Sequence, residues 1–363
     1  MTMKIMNSKK TRYRVYMLSV IVLILVVFNL IFTFQIHKKL VSVVSNPGRW
    51  PVGSYIYDRT IGFDFAPDIS GYIGDGSFYV KSHHLGYRIG QHTDATAYQP
   101  GGLLSLGCSF TYGDEVDAGQ TFTQLAADGL NIPAYNYGIC SFSYIHALLK
   151  ARQLKEQGLL DKLKPEYVVL GCWNGLPARS RSPFPPLASD NLPLPSAYLA
   201  RDGQELIIKY PMKLQHVFEM VELYREEGTA MSLKKLSKLF FAAPRYVYLY
   251  IRNNRMAQEM KMRNLQQEVS DFQVYDFYFS GIEEVFSSYG VRILVLYMPN
   301  SFDEPIARAL KEAVARHPGI TLVDGLQAIH AHGVSGHDYV RKHPQPAAHR
   351  AYAMEIINTV LEF

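Results

Sequence analysis

The amino-acid sequence predicts a three-layer α/β/α domain around a five-stranded parallel sheet, placed behind one membrane-crossing helix. Three observations predict it. An uncharged apolar run, Val15 to Phe34, stands near the start of the chain. From residue 101 onward, short apolar runs of strand length alternate with longer helical patterns. Several of the strand-like runs end on Gly, Ser or Asn, and in parallel sheets the loops at the carboxyl ends of the strands build the sites.

Val15–Phe34 is 20 residues long, which at about 1.5 Å per residue spans a hydrocarbon core of about 30 Å. Asn29 is its one strongly polar side chain. The run exceeds the apolar stretch of a cleavable leader and is followed by Gln35-Ile36-His37-Lys38-Lys39, with no small-residue cleavage pattern. An uncleaved signal anchor over 15–36 is therefore expected. Lys4, Lys9, Lys10, Arg12 and Arg14 precede the run and Lys38 and Lys39 follow it, so 1–14 is expected as a cytoplasmic basic tail with the bulk of the chain outside. The formal charge of +5 comes from this end. Residues 1–39 hold seven Lys/Arg and no Asp/Glu, leaving 30 against 32 in the rest. That balance excludes a nucleic-acid-binding domain. Hydrophobic residues make up 48% and charged residues 19%, a composition that folds.

Residues 37–100 are expected as a membrane-proximal segment of linker and short strands. The domain proper is expected at 101–363. Its strands are Gly102–Leu106, Ala134–Tyr137, Tyr167–Leu170, Val291–Tyr297 and Ile320–Val323. Its helices are Thr121–Leu130, Phe142–Glu156, Phe272–Tyr289, Pro305–His317 and Pro346–Leu361, the last with proline in its first turn. An insertion of about 176–271 separates the third and fourth strands. It opens on Arg181-Ser182-Pro183-Phe184-Pro185-Pro186, continues as a Tyr198–Ile208 hairpin with Asp202-Gly203 at the turn, and then carries Lys234, Lys235, Lys238, Arg245, Arg252, Arg255, Lys261 and Arg263. Phe240, Phe241, Tyr246, Tyr248 and Tyr250 interleave with these cations. Such a stretch reads as a solvated helical face, or as a lid or a surface resting on anionic lipid or a partner.

The chemistry centres on Leu104-Ser-Leu-Gly-Cys-Ser-Phe-Thr-Tyr-Gly113. A strand runs into Gly107-Cys108-Ser109, and the glycine permits a sharp turn that presents the Ser109 hydroxyl at the sheet edge. Asn136-Tyr137-Gly138 ends the second strand and Gly171-Cys172-Trp173-Asn174 ends the third. His343-Pro344-Gln345-Pro346-Ala347-Ala348-His349 precedes the closing helix. Asp114 and Glu115 are expected to cap the helix that follows them. Cys108, Cys140 and Cys172 are odd in number and read as small buried side chains, with one disulfide left open. No metal-ligand spacing such as C-x-x-C or H-E-x-x-H occurs, and no cofactor is expected.

These blocks, in this order, resemble the SGNH/GDSL hydrolase superfamily. LGCSFTYG is similar to its first block with Cys108 in place of the usual Asp. Asn136-Tyr137-Gly138 matches the glycine block. Gly171–Asn174 matches the Gly-x-Asn-Asp block with Gly175 in place of the final Asp. His84-Leu85-Gly86-Tyr87-Arg88 resembles a segment found before the core in membrane-anchored members. The resemblance covers about 83–175 and 291–361 and implies a flavodoxin-like SGNH fold. It implies Ser109 as nucleophile, His343 as general base, and an oxyanion hole of the Ser109 and Gly138 N–H groups and the Asn174 amide. The acid usually stands three residues before the histidine, where this chain has Val340, so Asp338 is the expected partner of His343.

The expected function is a serine esterase acting through an acyl-enzyme on O-acyl, chiefly O-acetyl, esters of an extracytoplasmic glycan. Alternatives are an O-acyltransferase that modifies a cell-envelope polysaccharide with a membrane acyl-donor partner, a lipid or thioester hydrolase, and a non-catalytic glycan-binding or scaffold protein on a degenerate fold. The resemblance implies the bacterial inner membrane, single-pass, with the N-terminus inside and the domain periplasmic. Expected partners are an ester substrate and the membrane, with no nucleic acid.

Overall fold

A computed structural model describes residues 2–45, 54–72, 78–182, 196–210, 219–220, 223–224, 226–244, 269–299, 304–335, 339 and 342–362. Residues 183–186 of the proline-rich stretch, and Arg245, Tyr246, Tyr248, Tyr250, Arg252, Arg255, Lys261 and Arg263, lie outside the described residues. The chain divides into two compact units, Met1–Asn46 with Glu219–Lys261, and Pro47–Phe218 with Met262–Phe363.

The larger unit holds the parallel sheet. Two short antiparallel pairs come first in the chain: β1 (Tyr55–Asp58) with β2 (Gly62–Phe65), and β3 (Ser70–Tyr72) with β4 (Tyr79–Lys81). The main sheet is built from β5 (Leu103–Gly107), β6 (Ala134–Gly138), β7 (Tyr167–Cys172), β10 (Arg292–Tyr297) and β11 (Ile320–Asp324), while β8 (Tyr198–Asp202) and β9 (Glu205–Lys209) form the expected hairpin. Its spatial order is β11-β10-β7-β5-β6 with every pairing parallel. Numbered along the chain, that is the flavodoxin-like order 2-1-3-4-5, in which the direction of winding reverses between the first strand, β5, and the third, β7. The Asp-Gly turn of the hairpin is made as expected, with Gly203 at φ +61°.

Strand β7 is a continuous apolar run, and β5 is apolar apart from the buried Ser105, because both faces are covered. Helix Phe122–Leu130 packs on the closing helix Pro346–Leu361, and helix Tyr144–Glu156 packs on Asp271–Phe286, which also meets Glu304–Arg316. Side-chain caps define several of these helices. Thr121 accepts from the Gln124 N–H, and Ser143 and Ser270 form reciprocal capping boxes with His146 and Gln273. The short helices Leu159–Leu163, Leu176–Ser180 and Gly325–Ala331 were not anticipated, being too short to show a helical period. Lys150 Nζ donates to Asp64 Oδ2 at 2.7 Å with both side chains buried, which ties β2 to helix Tyr144–Glu156. Removing either partner would leave a buried charge unpaired.

Two buried histidines make the unit acid-sensitive. His146 Nδ1 accepts the Ser143 N–H at 3.1 Å, and His349 Nδ1 accepts the Phe122 N–H at 3.1 Å, so both rings are held with an unprotonated Nδ1. Burial pushes each imidazole down to about 3. Between that value and the ordinary 6.5 the unfolded chain binds more protons than the folded one, so stability is intact above pH 6.5 and falls with acidification. The expected slope is about 1.4 kcal/mol per pH unit for each ring. Urea midpoints followed by tryptophan fluorescence should therefore drop steeply from pH 6.5 to pH 5, and an unchanged midpoint would contradict it.

The smaller unit starts with helix Thr2–Ser45, which runs beyond the expected span into the segment read as linker. Residues Thr11–Lys38 are long and apolar enough to cross a membrane, with mean hydropathy 2.9, and most of their side chains are exposed while Thr33 is buried. Val15, Leu18, Leu23 and Leu25 are all exposed. A helix that is apolar all round is normally covered by protein or lipid.

Candidate active site

Ser109 opens the four-residue helix Ser109–Tyr112, directly after β5, and Asn174 lies two residues beyond β7. Both therefore stand at the switch point of the sheet, where a doubly wound fold places its site. The nucleophile helix sits unusually close to the strand ends. A Cβ on Gly138 would overlap the Tyr112 nitrogen and approach the Thr111 carbonyl carbon at 2.7 Å, and one on Gly171 would overlap Thr111 Oγ1 and reach Met298 Cε at 2.8 Å. The glycines of the second and third blocks are thus space for Thr111 and its helix. Gly171→Ala is expected to lower stability by about 1–3 kcal/mol through overpacking, read as a lower urea midpoint at pH 7.

His343 comes from the segment before the closing helix. Its Nε2 lies 3.0 Å from Ser109 Oγ, and Ser109 and His343 are 7% and 8% exposed, so the contact is shielded from bulk water. Phe110 meets the imidazole edge-on at 5.6 Å and stacks on Trp173 at 5.2 Å. The Arg179 guanidinium stands over the Trp173 ring at 4.9 Å. Sequence reasoning placed Ser109, Asn174 and His343 at the ends of separate elements, and the structure brings Ser109 and His343 into hydrogen-bonding contact.

Asp338 and Val340 lie outside the described residues. Two features depart from the expected site. The Gly138 N–H donates to Asn136 Oδ1 at 2.9 Å, so this expected oxyanion donor is engaged within the protein. Asp114 and Glu115 cap no helix. Asp117 and Thr121 supply the caps that follow. Instead Asp114 Oδ2 lies 3.5 Å from His343 Nε2, and Glu115 Oε1 lies 3.6 Å from His343 Nδ1. That Nδ1 is buried without a hydrogen-bond partner among the described residues. Glu115 has φ +74°, a left-handed conformation that costs a non-glycine residue about 1–2 kcal/mol. Strain of this kind persists where surrounding structure enforces it.

Arg88 supplies the enforcement. Its Nη1 donates to the carbonyls of Tyr112 (2.6 Å) and Gly113 (2.7 Å), and Nη2 donates to that of Val116 (2.6 Å). The guanidinium also lies over the Tyr112 ring at 4.4 Å. Asn136 Nδ2 adds a bond to the Thr111 carbonyl at 3.0 Å, and the Arg88 N–H donates to the Asn136 carbonyl at 2.9 Å. The loop carrying both carboxylates is therefore clamped from the 84–88 segment and from β6. Only the Gly86-Tyr87-Arg88 motif signalled this in the sequence.

Cys108, Cys140 and Cys172 are buried free thiols. Burial raises all three, Cys172 to about 12 and Cys140 well above the ordinary range, so none is a thiolate near neutral pH. The hydroxyl of Ser109 is the group that lies beside the His343 imidazole. Among the described residues no cluster of His, Cys, Asp and Glu is disposed to hold a metal ion.

The chain matches no protein-family model and no curated protein. Among solved structures it is similar to a member of the lipolytic protein G-D-S-L family from Veillonella parvula DSM 2008, at 11% identity and TM-score 0.39, over 72% of this chain and 100% of that one. It is also similar to an acetylxylan esterase from Geobacillus stearothermophilus, at 11% identity and TM-score 0.35, over 73% and 95%. A third is an acetyl xylan esterase from the rumen bacterium Butyrivibrio proteoclasticus, at 9% identity and TM-score 0.36, over 74% and 65%. These are likenesses of fold, and the chemistry rests on the side chains.

Proposed function

We propose that this chain is a serine esterase of the SGNH type that works through an acyl-enzyme on O-acyl esters, O-acetyl above all, of an extracytoplasmic glycan. The observation that carries the proposal is the shielded Ser109–His343 contact of 3.0 Å at the sheet's switch point. In the reactive tautomer Nδ1 holds the ring proton and Nε2 accepts from the Ser109 hydroxyl. His343 takes that proton as Oγ bonds to the ester carbonyl carbon. The carbonyl electron pair moves to oxygen, where the Ser109 N–H and the Asn174 amide would receive it. The Gly138 N–H joins them when it exchanges Asn136 for the oxyanion. Collapse breaks the bond to the alcohol, which leaves with the proton from Nε2. Water then repeats the sequence on the acyl-enzyme, releasing the carboxylic acid and returning the proton to Ser109.

Glu115 serves as the carboxylate that orients His343 and compensates the imidazolium, since its Oε1 is 3.6 Å from Nδ1. The near-complete burial of Ser109, Asn174 and His343 favours a small acyl group. An anchor over the apolar N-terminal helix, with the basic flank in the cytoplasm, would hold the site at the outer face of a bacterial inner membrane.

The test uses the full chain in lipid nanodiscs. Fluorophosphonate labelling of a single serine, and faster turnover of 4-nitrophenyl acetate than of the longer acyl esters, are expected. Acetate release from acetylated polysaccharide would fix the substrate class. A folded chain that takes no probe and turns over no ester would sink the proposal.

A further inference from the structure

The smaller unit contains a polar contact in an unexpected place. Asn29 lies five residues inside the apolar run that ends at Phe34, about 7.5 Å along the helix axis. Its Nδ2 donates at 2.7 Å to the Phe240 carbonyl, near the end of the helix over 233–244. Four residues further, Thr33 is fully buried and its hydroxyl donates to the Asn29 carbonyl. His37 Nδ1 and the Tyr224 hydroxyl are 2.6 Å apart, and Leu40 packs with Met220, Leu223, Tyr224 and Leu239. Positions 29, 33, 37 and 40 lie on one face of the N-terminal helix. That face is covered by residues of 219–244, and the cover extends down to the level of Asn29.

The 233–244 helix has two sides. Lys235, Leu239 and Ala243, four residues apart, are buried against the unit. The Lys235 ammonium is absorbed by the carbonyls of Glu227, Gly228 and Ala230 and lies over the Tyr224 ring at 4.8 Å. On the outer side Leu233 is 85% and Phe241 is 81% exposed, with Lys234 and Lys238 between them. Residues 234–263 hold eight Lys/Arg and one Glu.

An element bonded to an amide inside an apolar span shares the solvent of that span. From this, we propose that the 233–244 helix is a second membrane-seated element. It would lie in the extracytoplasmic leaflet beside the anchor, with Leu233 and Phe241 among acyl chains and Lys238 reaching anionic phospholipid headgroups, while Lys234 pairs with Glu227. An amphipathic helix at this boundary buries its apolar side by about 5–10 Å, which suits the depth of Asn29. The bond to Phe240 also gives the in-span amide the partner that hydrocarbon cannot supply. The inference rests on the anchor reading and adds to it. The insertion would then return the chain to the membrane between β9 and β10 of the esterase unit.

The test places an environment-sensitive nitrobenzoxadiazole label on Phe241→Cys in the full chain. The nanodiscs contain phosphatidylcholine and phosphatidylglycerol with doxyl-labelled acyl chains. The native cysteines are buried, so labelling is selective. Leu23→Cys in the apolar helix and Tyr98→Cys in the larger unit serve as references. Emission at 241 should be blue-shifted and quenched as at 23, while 98 stays unquenched. Quenching at 23 without quenching at 241 would overturn the proposal and leave the anchor standing. An unquenched probe at 23 would overturn both.

Discussion

Ser109→Ala is expected to abolish fluorophosphonate labelling and to lower ester turnover by about 10⁴-fold or more, with His343→Ala costing nearly as much. The size follows from how the two groups act. In the proposed mechanism the Ser109 hydroxyl is a poor nucleophile until His343 Nε2, 3.0 Å away, takes its proton. Without the imidazole the hydroxyl stays protonated, and without the hydroxyl the imidazole has nothing to activate. The double variant should therefore be scarcely worse than either single one. Additive losses would mean that the two residues work separately, and persistent labelling of Ser109→Ala would place the nucleophile elsewhere. Both side chains are small parts of a large core, so circular dichroism and urea midpoints should match the wild type, which separates lost chemistry from lost folding. Residual turnover above the uncatalysed rate would measure what the proposed oxyanion donors, the Ser109 N–H and the Asn174 amide, contribute by themselves.

The sheet was legible because its determinants are local. Leu103–Gly107, Tyr167–Cys172 and Arg292–Tyr297 are apolar runs ended by turn residues, and Asp202-Gly203 dictates its hairpin whatever surrounds it. Ser109 ends such an element and His343 precedes one, and the two meet at 3.0 Å. The reason for Gly138 and Gly171 was not legible. Both are spaces for Thr111, which lies on another segment, and sequence alone records no such approach. The roles of Asp114 and Glu115 were misread for the same reason. Beside a coming helix they look like caps, and only the left-handed turn at Glu115 and the Arg88 clamp aim them at His343. The division of the insertion was also hidden. Its residues 219–261 group with the N-terminal helix through contacts such as Asn29–Phe240, between stretches that share no motif. Asp338, the partner expected from the family pattern, lies outside the described residues, so its part is decided by experiment.

Glu115→Gln and Asp338→Asn decide which carboxylate serves His343. Glutamine keeps the length of Glu115 and leaves the Arg88 clamp intact, since that clamp holds the carbonyls of Tyr112, Gly113 and Val116 and not the carboxylate. What changes is the charge 3.6 Å from Nδ1. An amide neither compensates the imidazolium nor fixes the tautomer that leaves Nε2 open to Ser109. Loss of the corresponding carboxylate in serine hydrolases costs up to about 10⁴-fold. At the longer separation here, a fall in kcat of about 10²–10⁴-fold is expected, with KM and the urea midpoint close to wild type. Labelling by the fluorophosphonate should slow but continue, because Ser109 and His343 are both present. Asp338→Asn should leave kcat within a few-fold of wild type. The reverse pattern, a large loss in Asp338→Asn and little in Glu115→Gln, would return the acid to the position the family resemblance implies. Glu115 would then be a strained structural residue of the loop. Loss in both would mean that the imidazole is held between two carboxylates, and the pH–rate profiles of the two variants would show which one governs the ionisation of the site.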